Sequence, residues 1–150
     1  MASQAFKRVE RRLSGARRLL TTDTHSRRMA QVRQRGTAPE LAVRHAARLA
    51  GLRYTTRNPD LPGSPDLANR TRHIAIFVHG CYWHRHAGCP KATTPRTNRR
   101  FWLAKFGRNR QRDRAAVGAL RELGYRVLIV WQCETGDPVH LVKQIRRLLG

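Results

Sequence analysis

Apolar positions along this chain change period several times, and each change marks an expected element. Leu41, His45 and Leu49, with Ala42 and Ala46, recur at helical spacing and predict a helix that buries this stripe. Thr37-Ala38-Pro39-Glu40 opens it with a Thr cap, Pro in the first turn and a Glu three residues on that can close a capping box; Gly51 ends it. Leu52 to Thr56 reads as a strand, and residues 58–66, NPDLPGSPD, as a loop set by Pro and Gly. Asp66-Leu67-Ala68 enters a second strand, Asn69 to Arg72 turns, and His73 to Val78 returns beside it as a hairpin. A helical stretch begins near Arg99, breaks near Gly107 and resumes to Leu123. Tyr125 to Trp131, YRVLIVW, is a continuous apolar run suited to a central strand, and Asp137-Pro138 start a last amphipathic helix. The order helix, three strands, helices, strand, helix predicts a single mixed α/β domain over residues 25–150. Upstream, Ser26 caps a short helix with Met29 and Val32 on one face, and residues 1–24 form a basic extension, either a frayed tail or a helix.

Charge narrows the function. Lys and Arg outnumber Asp and Glu by 31 to 9 in 150 residues, a formal +22, so the folded chain repels itself unless it meets a polyanion. Arg-rich codon usage accounts for part of that excess. No apolar run approaches the roughly 18 residues of a membrane span, and the basic N-terminus lacks the apolar stretch of a secretory signal. Nucleic acid is therefore favoured over membrane as partner. The odd count of 3 cysteines argues against a disulfide framework and for a reducing, cytoplasmic setting in which Cys and His bind metal.

The chemistry gathers after the hairpin, in HIAIFVHGCYWHRHAGC, residues 73–89. Cys81, His86, Cys89 and Cys133 make a Cys₃His set of the kind that closes a structural zinc site, with His84 open as an alternative to His86. Three buried thiols serving as small apolar side chains are the plain alternative. Asp66, at the mouth of a strand, can hold Mg²⁺ against a phosphate or simply shape a turn. His79, His84 and Asp113 suit proton transfer, an imidazole taking a proton and a carboxylate orienting it; Asp113 among four Arg residues also suits a local ion pair. Glu40 fits its capping box and a catalytic role equally. Tyr82, Trp83 and Met29 suit packing or a wedge into stacked bases.

Together these residues resemble the very short patch repair (Vsr) endonucleases. The matching text is SRRMAQVRQRGTAPE, GLRY, LPGSPD, IAIFVHGCYWHRHAGC, FWLAKFGRNRQRDR and LGYRVLIVWQC, in the family's order across roughly seven tenths of the chain. The resemblance implies a PD-(D/E)xK-like, restriction-endonuclease-like fold with a structural zinc site. It implies a Mg²⁺-dependent, strand-specific nickase cutting 5′ to the thymine of T·G mismatches left by 5-methylcytosine deamination. Carried over by position, Asp66 and the Val78 carbonyl would bind Mg²⁺ and His84 would be the general base. His79, Asp113 and Glu40 would assist, Cys81, His86, Cys89 and Cys133 would hold Zn²⁺, and Met29, Tyr82 and Trp83 would form the wedge. The implied partner is double-stranded DNA bearing a T·G mismatch, followed by mismatch-repair and DNA polymerase factors, for a bacterial cytoplasmic monomer working at the nucleoid. Val78 replaces a common Thr, and Gln132 stands where the family usually has Glu. A Vsr-like nuclease with another target, in phage defence or homing, and a zinc-stabilised binding module without catalysis are the alternatives.

Overall fold

The computed structural model describes residues 35–150. Met29 and the basic extension of residues 1–24 lie outside them. Helix α1 spans Ala38–Leu49, β1 Leu67–Asn69, β2 Ile74–His79, α2 Arg99–Glu122, β3 Arg126–Trp131 and α3 Pro138–Leu149, with a single 3₁₀ turn at Gln132–Glu134.

β1 and β2 form the expected antiparallel hairpin, Leu67 opposite Ile76 and Asn69 opposite Ile74. α2 then carries the chain across one face of the sheet so that β3 returns parallel to β2, from Ile74 beside Arg126 to His79 beside Trp131. The sheet order is β1-β2-β3. Alternating residues of β2 and β3 feed two cores. Ile74, Ile76 and Val130 pack with Val43, Ala46 and Ala47 of α1 and Leu141 and Ile145 of α3. Ala75 and Phe77 pack with Leu120 of α2, and Val127 and Ile129 join them.

Four expectations from the pattern need correction. β2, not β3, is central; β3 is apolar from Val127 on because helices cover both of its faces, not because strands flank both edges. Leu52–Thr56 contributes only an isolated bridge, Thr55 to Ala68, because the chain turns away at once into the loop held by Asn58. Leu41 and Leu49 face solvent at 53% and 55% exposure, and the buried face of α1 is Glu40, Val43, Ala46 and Ala47. The alanines let the helix approach the sheet closely where leucines would hold it off. Gly107 does not interrupt α2: it lies on the exposed side beside buried Phe106, and packing of Trp102, Phe106 and Leu120 outweighs a propensity cost of about 1 kcal/mol. Among the described residues no helix is long and apolar enough to cross a membrane.

Candidate active site

Parallel pairing of β2 with β3 puts their carboxyl ends side by side, the usual place for a site in an open α/β sheet. From there Gly80 to Cys89 makes successive tight turns, His84 N–H donating to the Gly80 carbonyl at 3.1 Å and His86 N–H to the Cys81 carbonyl at 3.1 Å. Arg85 takes a left-handed φ of 57° between the two imidazoles. His84 turns into a cleft and His86 into a cluster of thiols.

In that cluster the ligand atoms of Cys81, His86, Cys89 and Cys133 all lie within 4.8 Å of one another. His86 Nδ1 is 3.7 Å from Cys81 Sγ and 3.3 Å from Cys133 Sγ. Cys133 reaches the cluster because it leaves β3 two residues after Trp131, the partner of His79. The Trp131 ring stacks on His86 at 4.3 Å and 8°, fixing its plane. The arrangement brings together four soft and borderline donors that could hold a metal ion.

The cleft, of about 900 Å³, opens beside it. Asp66 enters from the loop before β1, where two features set its position. Asn58, 2% exposed, donates to the Thr55 carbonyl at 3.0 Å and to the Pro65 carbonyl at 2.9 Å, and accepts from Arg70 at 3.1 Å. Gly63, at φ 71°, lies so near α2 that a Cβ would come 2.5 Å from the Ala116 Cβ. Asp66 Oδ2 accepts a 2.7 Å hydrogen bond from Val78 N–H. Burial pushes its carboxyl up to about 6, against that hydrogen bond and with help from the neighbouring Glu40 charge.

Glu40 is 7% exposed and lines the same cleft. Its carboxylate accepts from Gly36 N–H at 2.9 Å and the Thr37 hydroxyl at 3.2 Å, while Thr37 Oγ1 accepts from Glu40 N–H at 3.4 Å. The reciprocal cap therefore reaches one residue further back than the expected box. Opposite, His84 Nδ1 and Asp113 Oδ2 are 2.6 Å apart, which fixes the ring and leaves Nε2 for proton transfer. His79 stacks on His84 at 3.9 Å and 7°. Burial, then the His84 charge, lowers the His79 pKa to about 4, so it is neutral at pH 7.

Tyr82 and Trp83 are half-buried at the cleft rim. Tyr82 meets Phe106 edge-on at 5.3 Å, and Trp83 lies 6.2 Å from Trp102, with the Lys105 ammonium 5.2 Å from the Trp83 ring centroid. Every proposed site residue within the described range thus falls in the cleft, its rim or the thiol cluster. Sequence reasoning missed Trp131, Asn58, Asn109 and Arg112. Asn109 and Arg112 carried a usable signal, since they share with Asp113 the helical spacing that sets one face of α2. Asn58 looked like any loop residue.

The sequence is similar to known mismatch endonucleases and nicking enzymes. Residues 18–91 match the family model described as DNA mismatch endonuclease Vsr. The Type II nicking enzyme V.XorIIP of Xanthomonas oryzae pv. oryzae is 41% identical over 81% of this chain and 88% of its own length. The DNA mismatch endonuclease Vsr of Escherichia coli is also 41% identical, over 73% of this chain and 70% of its own. The Type II nicking enzyme V.NmeAIP of Neisseria meningitidis is 31% identical over 87% and 93%.

Proposed function

The chain belongs to the Vsr family of DNA mismatch endonucleases and nicking enzymes, and from that premise we propose that it is a Mg²⁺-dependent nickase which cuts 5′ to the thymine of T·G mismatches. Such a cut, at the lesion left by 5-methylcytosine deamination, starts very short patch repair. The observation that carries the proposal is the meeting, in one cleft, of Asp66 with the 2.6 Å His84–Asp113 pair beside the rim aromatics Tyr82 and Trp83.

The donors suit the two metals. Asp66 offers a half-buried carboxylate whose Oδ2 is held by the Val78 N–H, and with the Val78 carbonyl it would supply the hard oxygen ligands Mg²⁺ prefers. When bound there, Mg²⁺ would stabilise charge on the phosphate oxygens and favour hydroxide formation. The thiol cluster suits Zn²⁺: tetrahedral bonds of about 2.3 Å to sulfur and 2.05 Å to nitrogen put those atoms about 3.6 Å apart, close to the 3.7 and 3.3 Å found at His86. Its role is to hold the loop that aims His84. The Asp66 hairpin and the crossover to β3 are compatible with the PD-(D/E)xK-like fold, in a domain over residues 25–150.

In the reaction, His84 takes a proton from the attacking water at Nε2 as the water oxygen bonds to phosphorus and one P–O ester bond breaks, the departing oxygen taking a proton from water to leave as a hydroxyl. Asp113 holds the tautomer and stabilises the imidazolium that forms. His79, neutral and stacked on His84, supports the ring without adding a competing charge, and Glu40 backs the cleft from α1. Tyr82 and Trp83, with Met29 from the N-terminal segment, enter the base stack. A T·G wobble pair deforms more readily than a matched pair, so this step itself discriminates. The remaining positive charge tracks the duplex backbone.

A test is to compare wild type with Asp66→Ala on a T·G duplex with Mg²⁺. Loss of nicking with retained binding supports the metal site, whereas cutting that persists in the variant rejects it.

A further inference from the structure

The cleft brings together the carboxylates of Glu40, Asp66 and Asp113. A phosphodiester entering it adds negative charge, and its non-bridging oxygens become more negative as water attacks. Cationic donors aimed at those oxygens are the usual remedy. Among the described residues two long-chain cations line the cleft, Lys105 and Arg112. Lys105 lies over the rings of Trp83 and Trp102, 5.2 and 5.3 Å from their centroids, on the aromatic side. Arg112 neighbours Asp113 on the side of the reacting groups.

Among the described residues no carboxylate neutralises Arg112. The ion pairs among the described residues are Arg44 with Glu40, Arg70 with Asp60 and His84 with Asp113. Its side chain is exposed, and its contact is instead with an amide: Nη2 donates to Asn109 Oδ1, while Asn109 Nδ2 donates to the Trp83 carbonyl at 3.3 Å. Lys105, Asn109, Arg112, Asp113 and Ala116 follow helical spacing and make one face of α2. Asn109 therefore holds the guanidinium by one nitrogen, and the rest of the planar fork remains for an anion.

We infer that Arg112 is a further catalytic residue, whose guanidinium binds the non-bridging oxygens of the phosphodiester being cut. The inference rests on the proposed nuclease reading and adds to it the group that steadies the phosphate. A guanidinium suits the task because it stays charged and presents paired donors to two oxygens, which an ammonium does not. The hydrogen bonds through Asn109 to Trp83 tie the guanidinium to the loop that carries the rim aromatics.

The test uses full-length protein with zinc bound and a duplex carrying one T·G pair. Single-turnover nicking at saturating protein is measured for wild type, Arg112→Ala and Arg112→Lys. Binding without Mg²⁺ is measured on the same duplex and on one with a neutral methylphosphonate at the cut linkage. Arg112→Ala is expected to slow cutting by about 100-fold, the size of losing one oxyanion donor. It should weaken binding to the natural duplex and leave binding to the methylphosphonate duplex at the wild-type level. Arg112→Lys should fall between, keeping charge without the fork; it also serves as the test if Arg112→Ala does not fold. Cutting within about threefold of wild type in the folded variant would overturn the inference, as would an equal binding penalty on both duplexes, which places the contact at another phosphate. A wild type that cuts no duplex removes the nuclease reading itself; a wild type that cuts alongside an undiminished Arg112→Ala removes only the role of Arg112.

Discussion

Asp66→Asn should abolish nicking and, in the absence of Mg²⁺, make the protein more stable. Burial raises the Asp66 pKa from 3.8 to about 6, so the folded chain holds this proton more tightly than the unfolded chain does. A group raised in this way contributes stability that is fully present below the unfolded value near 4 and is lost as pH rises through about 6. The shift corresponds to about 3 kcal/mol in the ionised state at pH 8. Asn resembles the protonated carboxyl and keeps an oxygen for the Val78 N–H, so the variant escapes most of that cost. His79 acts in the opposite sense, its pKa lowered to about 4, and loses stability as pH falls from about 6.5. The pH profile of wild type alone therefore mixes two opposed effects, and the difference between the two proteins isolates Asp66.

The assay is urea unfolding of wild type and Asp66→Asn at pH 8 and near pH 4, with zinc retained and no Mg²⁺. The expected result is a gain of about 2–3 kcal/mol at pH 8 that shrinks towards zero near pH 4. Adding Mg²⁺ should then stabilise wild type more than the variant. Equal stability at pH 8, or a gain that does not change with pH, would refute the reasoning that Asp66 is a carboxylate held at a cost for a cation.

Three further outcomes follow from the supports of the site. Asn58→Ala leaves the Pro65 and Thr55 carbonyls without their buried donor, and urea unfolding should show a loss of about 1–3 kcal/mol; no measurable loss would remove Asn58 as the tie of the Asp66 loop. Gly63→Ala meets the Ala116 Cβ in a left-handed backbone and should cost about 1–3 kcal/mol, with nicking reduced as α2 is pushed away. Metal analysis should find one zinc per chain, and Cys89→Ala should lose it together with nicking, whereas a variant that stays metal-loaded and active would exclude Cys89 from the set.

Much of this is legible in the sequence, and the limits have physical causes. Local chemistry placed α1 by its Thr-Pro-Glu cap, the hairpin by its turn, and the thiol set by the scarcity of Cys, because each signal depends on near neighbours. The rotation of α1 was not readable: Leu41, His45 and Leu49 have the right period, but the close-packed Val43, Ala46 and Ala47 face the sheet, and helical spacing alone does not choose between faces. The same holds for β3, whose apolar run reflects helices on both faces. Asp66, His84 and Asp113 take their roles from the family resemblance, since a turn Asp and a local ion pair account for the two carboxylates taken alone. Asn58 does not stand out, since its role depends on the loop bringing Pro65 to it, and Arg112, three residues from Asn109 on one helix face, is marked by helical spacing alone.

The central claim is a mismatch-directed nick. End-labelled duplexes identical except for one T·G or T·A pair, with either strand labelled, test it in a single experiment with Mg²⁺. The account predicts one cut, immediately 5′ to the thymine of the T·G duplex, on that strand alone. Equal cutting of the T·A duplex, or cuts on both strands, would contradict it.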